Sequence, residues 1–178
     1  MTDRTAGLVL AAGEGRRFGG PKAPYVLDGE RLVDRAVRVL REGGCDPVHV
    51  VLGAWDGDVA GAEVVPNPGW ATGMGSSLRA GLGSLRPGDA DRVVVTLVDL
   101  PGLTADAVRR LVEAAADLAQ ATYDGHRGHP VLLGRPHWDG VAESAEGDRG
   151  ARAYLSGHEV VLVEVGDVAS GEDLDVRP

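Results

Sequence analysis

Apolar residues alternate along this chain between two rhythms, short unbroken runs and runs spaced at the period of a helix. Gly7 to Ala11 is an apolar run that stops at glycines, the pattern of a buried strand opening into a loop. From Arg31 to Arg41 the residues Leu32, Val33, Ala36, Val37, Val39 and Leu40 recur at helical spacing, and Gly43 and Gly44 end the segment. Val48 to Leu52 and Ala62 to Val65 predict two strands on either side of a turn containing Asp56, Gly57 and Asp58, with their pairing left open. Ser76 to Leu85 predicts a helix with serine near its start, weakened by Gly81 and Gly83. Arg92 to Val98 contains VVVTLV, the clearest buried strand, and ends at Asp99.

Thr104 is placed to cap a helix running through Leu118, with Asp106 in its first turn and Val108, Leu111, Val112 and Ala115 on one face. After Ala121 the rhythm changes. Tyr123, the segment DGHRGHP and Val131 to Leu133 predict two short strands around a glycine-rich turn. Gly150 to Ser156 predicts a short helix, and Glu159 to Val165 a last strand before an acidic tail, SGEDLDVRP, that can return to the strand ends. Apolar strands alternating with amphipathic helices predict a three-layer α/β fold, its mostly parallel sheet covered on both faces and ended by a late antiparallel excursion.

Composition narrows the function classes. At 178 residues and 43% hydrophobic, the chain is expected to form one domain over residues 1–178 without disulfides or a structural metal. Its 27 acidic residues against 18 basic ones give a charge of −9, which opposes a nucleic-acid partner. A single cysteine, Cys45, and no CxxC pair point to a reduced, cytoplasmic protein without structural zinc. The first apolar run is too short for a membrane or signal segment, so no membrane association is expected.

The strongest chemical signal is LVLAAGEGRRFGGPK, Leu8 to Lys22. Its glycines let backbone N–H groups turn toward a polyphosphate, and Arg17 and Lys22 can neutralise charge that grows during phosphoryl transfer. A dinucleotide fingerprint fails because Phe18 stands where the third glycine belongs, and a Walker A loop fails because Pro21 separates Gly20 from Lys22. An ordinary exposed glycine loop remains the plain alternative. Asp99, just past a buried strand, is placed either to bind a hard cation or to cap the turn before Pro101 and Thr104. Asp173 and Asp175 share a face if the tail is extended, offering a further carboxylate or simply a solvated end. Ser76 and Ser77 suit ribose or phosphate contacts, or N-capping. His126 and His129 lie in the glycine-rich turn without zinc spacing around them. Asp148, Arg149 and Arg152 form a charged cluster fitted to an anion or to solvent, and Trp70 and Trp138 to stacking or to anchoring loops.

The glycine segment resembles the LAAGxGxRxGxxK signature of nucleotidyltransferases with a GT-A-like fold. NPGWATGMGSSLRAGL (67–82), LVDLP (97–101), GHRGHPVLLGRPHW (125–138), GDRGAR (147–152) and DLD (173–175) resemble, in the same order, later motifs of molybdenum cofactor cytidylyltransferases. The resemblance covers nearly the whole chain and implies a three-layer α/β/α, Rossmann-like sheet of GT-A type. It implies nucleotide contacts from Leu10, Ala11, Ala12, Gly13, Gly15, Lys22, Gly73, Ser76 and Ser77, and catalytic roles for Arg17, Lys22 and Asp99. Asp99 and Asp175 match the metal ligands, for Mg²⁺ with Mn²⁺ as a substitute, and His129, Arg149 and Arg152 fall in the acceptor region. The implied reaction is CMP transfer from CTP to a molybdopterin-type cofactor, with a transient recipient molybdoenzyme. A sugar-phosphate acceptor and a non-catalytic cofactor carrier are the rival readings. The chain departs from the family at Val98 and Leu100, where glycine and glutamine often flank the aspartate, and in ending DLD with Val176, Arg177 and Pro178.

Overall fold

A computed structural model describes residues 3–178. The chain runs through β1 (Thr5–Ala11), β2 (Val26–Leu27), β3 (Glu30–Arg31), α1 (Leu32–Glu42), β4 (Val48–Leu52), β5 (Glu63–Pro66), α2 (Met74–Leu85), β6 (Arg92–Leu97), α3 (Ala105–Val112), β7 (Leu118–Tyr123), β8 (His126–Gly134), α4 (Trp138–Ser144), α5 (Arg152–Ser156) and β9 (Val161–Glu164). Seven strands form one sheet in the order β5-β4-β1-β6-β8-β7-β9. β1 pairs in parallel with β4 and β6, and β4 with β5, as the alternation of strands and helices requires. The expected antiparallel excursion is β8, which runs against both β6 and β7; β9 then returns parallel to β7.

β1 is buried on both faces, which is why it reads as an unbroken apolar run. Val9 and Ala11 face a core shared with Val33, Val37 and Leu40 of α1 and Val108 and Leu111 of α3. Ala6, Leu8 and Leu10 face the other core, with Leu78, Leu82 and Leu85 of α2, Trp138 and Val141 of α4, and Leu155 of α5. Gly81, a cost to helix propensity, has a packing reason: a Cβ there would come within 2.6 Å of the Leu8 side chain, so glycine lets α2 lie close on β1. Each fully buried leucine contributes roughly 2 kcal/mol, against about 0.5 kcal/mol for an exposed pair such as Arg4–Asp89. The sheet faces, rather than surface ions, hold the fold.

Several elements differ from the sequence expectation. The helix expected through Leu118 ends at Val112, and Leu118 opens β7. The guanidinium of Arg92, itself buried, donates to the carbonyls of Val112 at 2.8 Å and Ala114 at 3.0 Å, so these groups are satisfied without another helical turn. Thr104 does cap this helix, its Oγ1 accepting the Ala107 N–H. Neither Ser76 nor Ser77 caps α2, whose N-cap is Gly73 with no side-chain cap bond. His126 and His129 belong to β8 rather than to the turn, which is made by Asp124 and Gly125 with φ of 51° and 81°. The small β2–β3 hairpin and α4 had no counterpart in the pattern.

Glu164 secures the β7–β8 turn. Its carboxylate accepts from Thr122 Oγ1, the N–H groups of Asp124 and Gly125, and the N–H of Gly166. These bonds, that from Thr122 foremost, hold its pKa down at about 2 from an ordinary 4.5. A depressed carboxylate pKa stabilises the folded chain above the unfolded pKa, and that contribution is lost as pH falls from about 4.5 toward about 2. Glu164→Ala is therefore expected to lower the thermal midpoint at pH 7 and to make unfolding less pH-sensitive across that acid window, as read by circular dichroism melts.

Candidate functional site

The carboxyl ends of the parallel strands carry a cavity of about 730 Å³, where open α/β sheets place their ligands. β1 supplies its floor and then the glycine loop: Leu10, Ala11, Ala12, Gly13, Glu14, Gly15 and Arg16 line it, and Lys22 closes the far side of the loop. The loop is folded on itself, since the Gly15 carbonyl accepts both the Gly19 and Gly20 N–H groups at 2.8 and 3.0 Å. β6 supplies Leu97, Val98 and Asp99. The segment entering α2 supplies Trp70, Ala71, Gly73, Met74 and Ser77, and Asp148 reaches in from the loop before α5.

Nine of the residues expected at the site line this cavity: Leu10, Ala11, Ala12, Gly13, Gly15, Lys22, Gly73, Ser77 and Asp99. Asp175 stands beside it, 3.7 Å from Lys22 Nζ and 4.0 Å from Arg17. Arg17 thus reaches the tail carboxylate, while its neighbour Arg16, paired with Glu14, lines the cavity. Ser76 lies behind the wall, its hydroxyl directed to the Gly69 and Gly73 carbonyls. His129, Arg149 and Arg152 do not line the cavity; the two arginines are exposed. Trp138 is fully buried and donates to the Leu133 carbonyl, an anchor of the core, whereas Trp70 is a cavity wall.

Among the residues that build the cavity, Asp148 and Arg16 line it without having been assigned to it by the sequence, and Asn67 supports its wall without lining it. Asn67, within the motif but without a role there, is buried and donates to both Ser76 and Ser77 hydroxyls at 2.9 and 3.0 Å while accepting the Gly69 N–H. It pins the Trp70 loop to α2. Asp148 and Arg16 reach the cavity through loop conformation, for which periodicity holds no signal.

The electrostatics centre on Asp99. Lys22 Nζ donates to its Oδ2 at 3.0 Å, with both side chains largely buried, while Oδ1 is buried with no hydrogen-bond partner. The Leu174 N–H donates to the Asp99 carbonyl at 2.8 Å, and this bond brings the tail alongside. One carboxylate oxygen each from Asp99, Asp173 and Asp175 lie within 4.8 Å of one another. An all-oxygen, triply anionic set with one orphaned buried oxygen fits a hard divalent cation. His129 is held below its ordinary pKa by burial; the Asp99 charge works in the opposite direction, and Arg152 adds to the depression.

A glycine-rich loop, a lysine and a carboxylate cluster at the carboxyl end of a parallel sheet are the parts of a nucleotidyltransferase site. Residues 7–161 match the MobA-like NTP transferase domain, and the chain belongs to this family of nucleotidyltransferases. It is 35% identical to nicotine blue oxidoreductase of Paenarthrobacter nicotinovorans, over 95% of this chain and 91% of that protein. It is likewise 35% identical to molybdenum cofactor guanylyltransferase of Rhodobacter capsulatus, over 66% of this chain and 63% of that one. Among solved structures, a Mycobacterium sp. strain JC1 homologue of Rv0371c superposes with a TM-score of 0.82 at 30% identity, covering 99% of this chain and 92% of that one. A complex of Mycobacterium tuberculosis Rv0371c with manganese superposes with a TM-score of 0.74 at 25% identity, covering 91% and 88%.

Two measurements test this geometry. Gly73 has φ of 112°, and a Cβ there would lie 2.6 Å from the Gly147 backbone and 2.8 Å from Asp148. Gly73→Ala is expected to cost about 2 kcal/mol, read as a lower denaturant midpoint, with weakened nucleotide binding. His129, its pKa lowered below 6.5, binds less proton folded than unfolded, so its contribution makes stability fall as pH drops below about 6.5 and level off above it. Titration of its ring by NMR should give a midpoint below 6.5, and His129→Gln should flatten that part of the stability profile.

Proposed function

We propose that this protein is a divalent-metal-dependent nucleotidyltransferase that moves CMP from CTP onto the phosphate of a molybdopterin-type cofactor and releases pyrophosphate. The observation that carries this reading is the convergence of the glycine loop, Lys22 and Asp99 on one cavity, with Asp175 beside it. An acceptor phosphate oxygen attacks the α-phosphorus in line. The new P–O bond forms as the bond to the bridging oxygen breaks, and pyrophosphate leaves with that electron pair. Loop amides around Gly13 and Gly15 hold the triphosphate, and Lys22, with Arg17 at the rim, offsets the charge that develops on it. Asp99 and Asp175 would hold Mg²⁺, with Mn²⁺ as a substitute, and the cation would supply neutralisation of phosphate oxygens. Lys22 and a cation would share the Asp99 and Asp175 carboxylates, so a bound cation would weaken their hold on the ammonium and leave it available to the triphosphate.

Ser77, and Ser76 through its link to Asn67, shape the nucleotide side of the cavity. LAAG at residues 10–13 resembles the cytidylyl branch more than LAGG-type guanylyl relatives, which supports CTP; the guanylyltransferase relatives make GTP the competing donor. His129, Arg149 and Arg152 are proposed to receive the acceptor, the arginines by bidentate bonds to its phosphate. Work in the cytoplasm and hand-over to a recipient molybdoenzyme belong to the same proposal; no helix among the described residues is long and apolar enough to cross a membrane. A second reading, a redox reaction on a pigment-like substrate, rests on the long similarity to a protein named an oxidoreductase. Phe18 in place of the third fingerprint glycine speaks against a nicotinamide dinucleotide in this loop.

The deciding experiment is pyrophosphate release by the purified protein with Mg²⁺, each of the four ribonucleoside triphosphates and molybdenum cofactor. CTP-dependent release is expected. Dependence on another triphosphate changes the base but keeps the reaction. Release only with a sugar phosphate changes the acceptor, and silence with retained nucleotide binding favours the carrier. Pyridine-nucleotide oxidation without pyrophosphate would establish the redox reading. Lys22→Ala and Asp99→Ala should each lower kcat by at least about 100-fold with unchanged circular dichroism. Lys22→Ala should also bind Mn²⁺ more tightly in the nucleotide-free protein, as read by calorimetry, because the competing ammonium is gone.

A further inference from the structure

The acidic tail does more than deliver carboxylates. It is laid across the strand ends by three bonds: Thr104 Oγ1 donates to the Val168 carbonyl at 3.0 Å, the Ser170 N–H to the Gly102 carbonyl at 3.1 Å, and the Leu174 N–H to the Asp99 carbonyl at 2.8 Å. Beyond Asp175 the chain continues to Arg177, whose Nε donates to the Phe18 carbonyl at 3.0 Å. The same guanidinium lies 5.1 Å from the Phe18 ring centre and 5.6 Å from that of Tyr25. Those two rings meet edge to face at 4.8 Å, and Phe18 is almost fully buried. Phe18 sits between Arg17 and Gly19, inside the turn in which the Gly15 carbonyl accepts the Gly19 and Gly20 N–H groups. Arg177 therefore grips the glycine loop at its buried anchor.

We propose that Arg177 is a positioning residue: it latches the glycine loop to the tail and holds the loop amides in the arrangement that receives the triphosphate. The proposal rests on the nucleotidyltransferase reading for its link to nucleotide, and on geometry alone for the latch. Two other ties join loop and tail, Arg17 and Lys22 to Asp175. Both use a carboxylate proposed to hold the cation, so both weaken when it does. The Arg177 tie uses a backbone carbonyl and two aromatic faces, and it persists in the loaded state. A planar guanidinium can donate in its plane while presenting its face to a ring, which an ammonium cannot do. With the loop ordered beforehand, nucleotide binding is spared the cost of ordering it.

The test compares the unmodified protein with Arg177→Ala and Arg177→Lys in two assays, amide hydrogen exchange without ligand and steady-state kinetics with CTP. A hydrogen bond and an exposed cation–π contact together are worth about a factor of ten. Arg177→Ala is therefore expected to speed exchange over residues 15–22 about tenfold, leave the β1, β4 and β6 amides unchanged, and raise the KM for CTP by a similar factor, with kcat within about twofold. Arg177→Lys should recover little of either. Unchanged exchange over residues 15–22 overturns the latch, whatever reaction the protein performs. Faster exchange with an unchanged KM overturns its role toward nucleotide, and full recovery by lysine overturns the guanidinium argument. If the unmodified chain turns over no triphosphate, the functional reading fails, and the exchange comparison still decides the latch.

Discussion

β1 and β6 run parallel and in register from Thr5↔Arg92 to Leu10↔Leu97, so both segments leave the sheet at the same end. There β1 opens into the glycine loop, and β6 delivers Asp99. Their separation is set by backbone ladders: the Val98 N–H donates to the Leu10 carbonyl at 3.1 Å, and the Ala54 N–H to the Ala12 carbonyl at 3.0 Å, carrying the ladders past the last paired residues. A slip of one residue would exchange the faces of β1 and send Leu8 and Leu10 into the wrong core. The two apolar layers that stabilise the fold are thus also what fixes the glycine loop against the carboxylate.

That arrangement concentrates negative charge in a chain already at −9. Three carboxylate oxygens within 4.8 Å repel by roughly 3 kcal/mol per pair at an effective dielectric constant near 20. Lys22, 3.0 Å from Asp99 and 3.7 Å from Asp175, offsets that repulsion. It answers only one oxygen of Asp99 and leaves Oδ1 buried and unpartnered. A buried acceptor with no donor costs stability unless a ligand satisfies it. The strain is local, and a cation held by these carboxylates would relieve it.

Much of this was legible because the chemistry sits where patterns break. VVVTLV ending at Asp99 marks both a buried strand and the residue it delivers, and Asp124–Gly125 between apolar runs marks the hairpin. The helix overrun at residues 113–117 has a tertiary cause: those alanines favour helix, but the buried guanidinium of Arg92 takes the carbonyls that another turn would use. α4 escaped notice because it is seven residues long with only Trp138 and Val141 buried, too short for a period. Ser76 looked like a cap, yet Asn67 takes its hydroxyl from outside the helix. Trp70 reaches the cavity from a single 3-10 turn and Asp148 from a loop, neither long enough to show a period.

The antiparallel strand is what brings a second chain direction to the end of the sheet that carries the cavity. A parallel successor to β6 would bring only another strand-end loop to the carboxyl edge. Because β8 is reversed and pairs Val131 with Val95, its early residues lie beside the Leu97–Asp99 end of β6, and His129 arrives there from the opposite chain direction. The Tyr123 hydroxyl donates to the His129 carbonyl at 2.7 Å, tying that approach to β7. Across the cavity, the Gly147 carbonyl accepts the Gly75 N–H at 2.8 Å, and Arg79 donates to the Ala145 carbonyl, so the segment leading to Arg149 and Arg152 is fixed to α2. On the proposed reading, the donor is held by loops after parallel strands and the acceptor by the start of β8 and the loop before α5. In-line transfer needs the attacking oxygen opposite the leaving pyrophosphate. On that reading, approach from these two directions is what would place the attacking oxygen there.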